Sequence, residues 1–155
     1  MDRASSTILS GIAGVHYVVS ELSRRGLIAL PTIRNLAAYD ILVSTLDGSR
    51  HANLQVKASK GAVGFFPMPS PERIRTGNQD GYVLLRWLPK ESRYEGFMLT
   101  GSEARQEVMR DQQDQQRRIR SGTRKKLFPA LVIGPRAGKR PAKWKQRWLE
   151  WDLHR

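Results

Sequence analysis

The sequence predicts an α/β (α+β) fold, in which a mixed central sheet of about five strands is flanked by helices. One observation behind this prediction is a helical repeat of apolar residues near the N-terminus. Another is a series of short apolar runs bounded by Gly, Pro and Asp. The length of 155 residues suits one hydrophobic core, so we expect residues 1–155 to form a single domain.

The first predicted element is a helix that Ser5 and Ser6 cap and that runs to about Arg25. Gly26 follows the helix as a natural C-terminal cap. The apolar face of this helix, at spacings of three and four residues, consists of Ile8, Ile12, Val15, Val19 and Leu22.

Three strands are predicted next. Residues 27–33 include Pro31 and therefore suit an edge strand. Residues 38–45 and 52–58 are predicted to form a hairpin, because Asp47-Gly48 between them is a strong turn signal.

The remaining sequence predicts a long loop, a second hairpin, a polar helix, one more strand and a short terminal helix. These elements cover residues 59–80, 81–100, 102–119, 127–133 and 141–151. Phe65 and Phe66 in the loop suit either a nucleic-acid contact or a plug in the core. The face shared by Trp144, Trp148 and Trp151 is better explained by docking of the terminal helix than by base stacking.

The net charge of +13 indicates a polyanionic partner. Residues 1–100 hold 12 Lys or Arg against 8 Asp or Glu, whereas residues 101–155 hold 15 against 6. We therefore expect the basic C-terminal segment 117–155 to bind DNA, with RNA as the alternative partner and a solubilising surface as the alternative role. The predicted contact residues are Arg117, Arg118, Arg120, Arg124, Lys125, Lys126, Arg136, Lys139 and Arg140.

Several classes of protein are disfavoured by composition. Cysteine is absent, which excludes a disulfide framework and a thiol nucleophile. No apolar run is long enough to span a bilayer, and no secretory signal is evident, so we expect a cytoplasmic protein without a membrane partner. Residue types leave both a monomer and a homodimer open.

The residues that suggest chemistry lie in the first predicted hairpin. Folding at Asp47-Gly48 makes Asp40 and Gln55 near cross-strand neighbours. Gln55 and Lys57 are two residues apart and share a face of the sheet. We therefore expect a carboxylate, an amide oxygen and an ammonium group on one surface, which faces the N-terminal region of the first helix.

This order of elements resembles the PD-(D/E)XK, or restriction endonuclease-like, nuclease superfamily. That superfamily includes type II restriction enzymes and archaeal Holliday-junction resolvases, and the nearest likeness is to small uncharacterised bacterial members with a Gln-Val-Lys strand. The matching blocks are Gly11-x-x-Gly14, residues 21–26, residues 39–43 and residues 54–57.

The resemblance implies a Mg²⁺-dependent (or Mn²⁺-dependent) deoxyribonuclease. Asp40 and Gln55 would be metal ligands together with the backbone carbonyl of Val56, and Lys57 would stabilise charge in the transition state. Many relatives carry a Glu where this chain has Val15. With one carboxylate the metal would bind weakly, and a catalytically silent relative that binds DNA or protein is the alternative.

Other interpretations of these residues are structural. Asp40 could bond a neighbouring amide at a strand end, and Lys57 could be an edge charge that discourages strand association. His16 is better explained as a partly buried helix residue than as a ligand. Glu21 is expected to pair with Arg24 or Arg25.

Overall fold

The computed structural model describes residues 3–33, 39–60, 64–133 and 140–145. The helices are α1 (Arg3–Ser23) and α2 (Gly101–Arg120). The strands are β1 (Ile28–Pro31), β2 (Ile41–Ser44), β3 (His51–Ser59), β4 (Gly64–Pro67), β5 (Asp80–Leu88), β6 (Arg93–Thr100) and β7 (Ala130–Ile133).

Five strands form the mixed central sheet that the sequence predicts, in the order β1-β2-β3-β5-β6. Neighbouring strands are antiparallel except β3 and β5, which run parallel with Gln55 opposite Tyr82. The edge position of β1 is also confirmed. A second sheet of two antiparallel strands, β4 and β7, was not predicted, because residues 59–80 read as loop.

The two faces of the central sheet carry two cores. On one face α1 packs through Val18 and Leu22 against a cluster that includes Leu54 and Leu85. On the other face α2 and the second sheet enclose a cluster that includes Phe66 and Leu84. The predicted arrangement of helices against a mixed sheet is therefore confirmed.

Helix α1 differs from its prediction in its start and its buried face. Ser5 and Ser6 lie inside the helix, so the predicted N-terminal cap is wrong. The deeply buried stripe contains Gly14, Val18 and Leu22, while Ile8 and Ile12 are 45% and 40% exposed.

The end of α1 follows the prediction closely. Gly26 has a φ of 79°, and its N–H donates to the carbonyl of Ser23. The N–H of Leu27 donates to the carbonyl of Leu22, which completes a Schellman cap. The salt bridge expected of Glu21 also forms, at 2.7 Å to Arg25.

The turn at Asp47-Gly48 is confirmed. One carboxylate oxygen of Asp47 accepts hydrogen bonds from the backbone and hydroxyl of Ser49 and from the hydroxyl of Thr45. Gly48 has a φ of 71°, a conformation that glycine adopts without strain. Hydrogen bonds to Asp47 hold its pKa at about 2, first that from Thr45 and then those from Ser49.

The terminal segment docks on β6. In place of the predicted helix over 141–151, a 3₁₀ helix runs from Arg140 to Trp144, and residues 146–151 lie outside the described residues. Trp144 is buried and donates to Glu103, which agrees with docking; Trp148 and Trp151 lie outside the described residues.

Candidate functional site

Asp40 directly precedes β2 and lies beyond the last register pair of β2 with β3. Its N–H donates to the carbonyl of Leu54 at 2.8 Å, although Leu54 is also the register partner of Ile41. The regular antiparallel ladder therefore stops at Ile41, and Asp40 is bonded to β3 outside that ladder. The carbonyl of Asp40 accepts from the N–H of Thr32 on the other side, so the backbone of Asp40 is held from both neighbouring strands.

The Asp40 carboxylate lies beside the backbone of Val56. Its Oδ2 accepts a hydrogen bond of 2.7 Å from the Val56 N–H. Register pairing between β2 and β3 ends at Ile41 and Leu54, so this bond lies at the edge of β3 beyond the last pair. Because the N–H and C=O of a strand residue point to the same side, the Val56 carbonyl is directed toward the same edge.

A cleft of about 440 Å³ opens beside this carboxylate. The floor of the cleft consists of Asp40, Val56, Pro31 at the end of β1, and Thr32, which follows β1. Helix α1 contributes the wall, which consists of Thr7, Ile8, Gly11, Ile12, Val15 and His16. The exposure of Ile8 and Ile12 is thereby explained, since both side chains line the cleft.

Sequence reasoning missed His16. It is exposed rather than partly buried, and it lines the same cleft as Asp40. No periodicity could have revealed this, because the cleft exists only once α1 has been seated on the sheet. Val15, the position where relatives of the resembled superfamily carry Glu, lines the same cleft as Asp40.

The expectation that Gln55 and Lys57 share a face with Asp40 toward the first helix is wrong. Val56 and Ala58 pack toward α1, so the alternating residues 55 and 57 point to the opposite face. Their parallel partners on β5, Tyr82 and Leu84, belong to the core on the α2 side. Asp40 lies outside the ladder of β2 and β3, so strand alternation does not fix its side chain, and the residue lines the cleft beside α1.

The three side chains are nevertheless neighbours along one edge. The Asp40 carboxylate accepts a hydrogen bond from the Val56 N–H, which lies in the plane of the sheet. Gln55 and Lys57 are the residues directly before and after Val56. Both are partly exposed. Asp40 therefore approaches this edge of β3 from the face that α1 covers. Gln55 and Lys57 approach the same part of the edge from the face that α2 covers.

The expected basic residues divide between the end of α2 and the loop after it. Arg117, Arg118, Arg120, Lys125 and Lys126 are exposed, and Arg124 is partly exposed. Arg117 approaches Asp114 at 3.5 Å. Arg136 and Lys139 lie outside the described residues, and Arg140 begins the 3₁₀ helix.

Two absences hold for the part of the chain that the structure describes. No three His, Cys, Asp or Glu residues gather as a metal cluster, and Asp40 is the only carboxylate among the described residues that line the cleft. No helix within those same ranges is long and apolar enough to cross a membrane.

Comparison with known proteins yields a likeness of fold. No protein-family model and no curated protein matches the sequence. The fold is similar to that of a bacterial homing endonuclease, I-Ssp6803I, with a TM-score of 0.52 and 13% sequence identity. The match covers 92% of this chain and 89% of that chain. At this identity the likeness concerns the fold, and it extends over both cores rather than over a shared fragment.

Proposed function

We propose that the chain is a divalent-metal-dependent endonuclease of the PD-(D/E)XK type that hydrolyses phosphodiester bonds in DNA. The observation that carries this proposal is the Asp40 carboxylate, bonded to the Val56 N–H at the open edge of β3 and facing a cleft. Likeness of fold to a homing endonuclease supports the nuclease class. The net charge of +13 supports nucleic acid as the substrate.

The residues at the strand edge fit a Mg²⁺ or Mn²⁺ ion. Mg²⁺ prefers hard oxygen ligands and is commonly bound by one or two carboxylates, with waters and substrate phosphates filling the other positions. Asp40 would supply the carboxylate, Val56 its carbonyl and Gln55 its amide oxygen. When bound, the ion polarises the phosphodiester and acidifies the water that attacks phosphorus.

The chain's own side chains would orient the substrate and stabilise charge. Lys57, adjacent to Val56 in the strand, would approach from the opposite face and stabilise the negative charge that develops on the phosphate. His16 would face the same phosphate from the α1 wall of the cleft. The basic residues 117–126 would hold the DNA backbone outside the cleft through phosphate contacts that carry no sequence information.

A second candidate function is favoured by one specific observation. Asp40 is the only carboxylate among the described residues that line the cleft, and Val15 is one of the residues of its α1 wall. A silent relative that binds DNA without cleaving it would have such a site. The two candidates differ in a direct test, because restoring a carboxylate at position 15 should create activity only if the rest of the site is competent.

The test is a plasmid-nicking assay with Mg²⁺ or Mn²⁺. Asp40→Asn should abolish cleavage and leave DNA binding nearly intact, because Asn keeps an oxygen that can accept from Val56 but removes the charge. Lys57→Ala should slow cleavage by about 10²–10³-fold, as loss of a preorganised donor does elsewhere. Val15→Glu should strengthen Mn²⁺ binding measured by calorimetry. Ser20→Glu, an exposed site on the same helix outside the cleft, is the charge-matched control.

Each result distinguishes the candidates. An inert wild type with an active Val15→Glu variant would establish the silent relative and identify Val15 as its cause. Full activity in Asp40→Asn would show that Asp40 does not bind the metal and would overturn the proposed site.

A further inference from the structure

An exposed aromatic platform lies on the second sheet, away from the cleft. The rings of Phe65 and Phe128 stack with centroids 5.8 Å apart and planes 21° from parallel. Phe65 is 49% exposed, Phe128 46%, and Val132, the register partner of Phe65, is 43% exposed. These three residues form the platform. Neighbouring Phe66 is buried in the core, so of the two adjacent phenylalanines one plugs the core and the other faces solvent.

The platform is held from beneath by a buried side chain. Gln115 of α2 is only 5% exposed, and its Oε1 accepts from the N–H of Phe128 at 2.7 Å. Its Nε2 donates to the carbonyl of Phe128 at 2.8 Å and also to Asp111. A buried amide must be fully hydrogen-bonded, and here its bonds fix the backbone of an exposed ring. The backbone from which the exposed Phe128 ring projects is therefore held to α2 at both its N–H and its carbonyl.

Positive charge borders the platform. Arg118 and Arg124 line a cavity of about 190 Å³ together with Phe65 and Phe128. The Nε of Arg124 donates to the carbonyl of Lys126 at 2.7 Å, which orients the guanidinium. Exposed Lys125 and Lys126 follow directly in the chain.

Two acidic residues, Asp111 and Asp114, also line the cavity, and each has a partner of its own. Asp114 approaches Arg117 at 3.5 Å, and Asp111 is engaged by Gln115. Burial raises the pKa of Asp111, although the hydrogen bond from Gln115 acts in the opposite direction. The lining thus contains two basic and two acidic side chains, and the segment 117–126 adds four further Lys or Arg residues next to Arg118 and Arg124 in the chain.

We infer that the platform binds an unpaired nucleobase of a single-stranded nucleic acid, which stacks on Phe65 and Phe128 while Arg118 and Arg124 contact the adjacent phosphates. Every base has a flat face that stacks on an aromatic ring, and basic side chains beside such rings hold the backbone. In a duplex those faces are covered by neighbouring base pairs, so the platform would select unpaired nucleotides. The inference rests on the proposed function only in taking nucleic acid as the partner, since none of the residues lining the Asp40 cleft belongs to the platform.

The test measures binding in the presence of EDTA, so that metal chemistry plays no part. Fluorescence anisotropy compares a labelled oligothymidine, the same sequence in RNA, and a duplex of equal length. The double variant Phe65→Ala, Phe128→Ala should lose about tenfold or more in single-strand affinity and less than about twofold in duplex affinity. Phe65→Trp, which keeps a stacking face, should retain wild-type affinity. Leu46→Ala removes another exposed apolar side chain, at the first hairpin turn, and should change nothing.

Three outcomes would overturn the inference. If the double variant lost equal affinity for the single strand and for the duplex, the platform would be a nonspecific contact. If it lost no affinity for the single strand, the platform would have no part in nucleic-acid binding. Loss of an oligomer in light scattering, with single-strand affinity unchanged, would make it an interface between two copies of the chain. Because the substituted side chains are exposed, the variants should fold, and thermal melting checks this. If the inference about the platform failed while metal-dependent cleavage remained intact, the proposed function would still stand.

Discussion

The seat of α1 on the sheet depends on the lack of a side chain at Gly14. A Cβ added there would lie 2.9 Å from the Cβ of Ala58 and 3.4 Å from Leu85. Carbon atoms in contact prefer about 3.5–4.0 Å, so Gly14→Ala requires a helix shift of about 0.6–1.1 Å or an equal movement of β3. Such overpacking costs about 1–3 kcal/mol, against about 0.5–1 kcal/mol that Ala contributes as the better helix former.

We therefore expect Gly14→Ala to lower the free energy of unfolding by about 1–2 kcal/mol, which for a chain of this size corresponds to a fall in Tm of about 2–8 °C. Gly11→Ala is the matched control, because it lies three residues earlier in the same helix and a Cβ there meets nothing within 4 Å. This variant keeps the helix-propensity gain alone, and its Tm should rise by about 1–4 °C.

Urea and thermal unfolding of both variants, followed by circular dichroism, provide the assay. Ala58→Gly combined with Gly14→Ala should recover part of the loss, which a double-mutant cycle would register as a favourable coupling energy. If Gly14→Ala stabilised the protein as much as Gly11→Ala does, the close approach of α1 to β3 would be refuted, and with it the wall of the cleft.

Two further predictions concern charge. An NMR titration of the Asp47 carboxyl should find a pKa of about 2. The turn that this carboxylate stabilises should therefore be fully stable at pH values above the ordinary Asp pKa and should weaken as the pH falls toward 2. A pKa near 4 would contradict the three hydrogen bonds described for its Oδ1. If residues 117–126 contact phosphates, the double variant Lys125→Ala, Lys126→Ala should bind duplex DNA more weakly. The slope of log K against log salt concentration should become less steep by up to about 1.8. An unchanged slope would mean that these lysines form only a solvated surface.

The sequence was most informative where structure is decided locally. The Asp47-Gly48 turn is stabilised by side-chain bonds within five residues, and the Gly26 cap by backbone bonds within six. Such features depend on nearest neighbours along the chain, so residue types alone identify them. The sheet of five strands followed from the same turns, because each turn delimits the strands on either side.

What the sequence did not reveal depends on contacts between distant segments. Periodicity counts large apolar side chains, so it predicted a face with Ile8 and Ile12 and overlooked Gly14, where the helix backbone comes closest to β3. The strand around Phe65 exists because it pairs with Val132, far along the chain, in a stretch whose Gly and Pro content indicates loop.

The candidate site was predicted in part. Asp40 and Val56 do meet, but the ladder of β2 with β3 ends at Ile41, so strand alternation does not fix the face that the carboxylate occupies, and no local signal marks where the ladder stops. The roles of Gln55 and Lys57 stay predictions, which the Lys57→Ala experiment addresses directly.

The parallel pairing of β3 with β5 has a consequence for how the chain refolds. The pairings of β1 with β2, β2 with β3 and β5 with β6 join strands that follow one another in the chain. By contrast, β3 and β5 are joined only after the 20 residues between Ser59 and Asp80 have been closed into a loop. Late joining leaves β5 with an unpaired edge, and five consecutive residues of β5 are buried in the finished sheet. Dilution from denaturant at high protein concentration should therefore favour aggregation through β5, and slow dilution should favour the native fold.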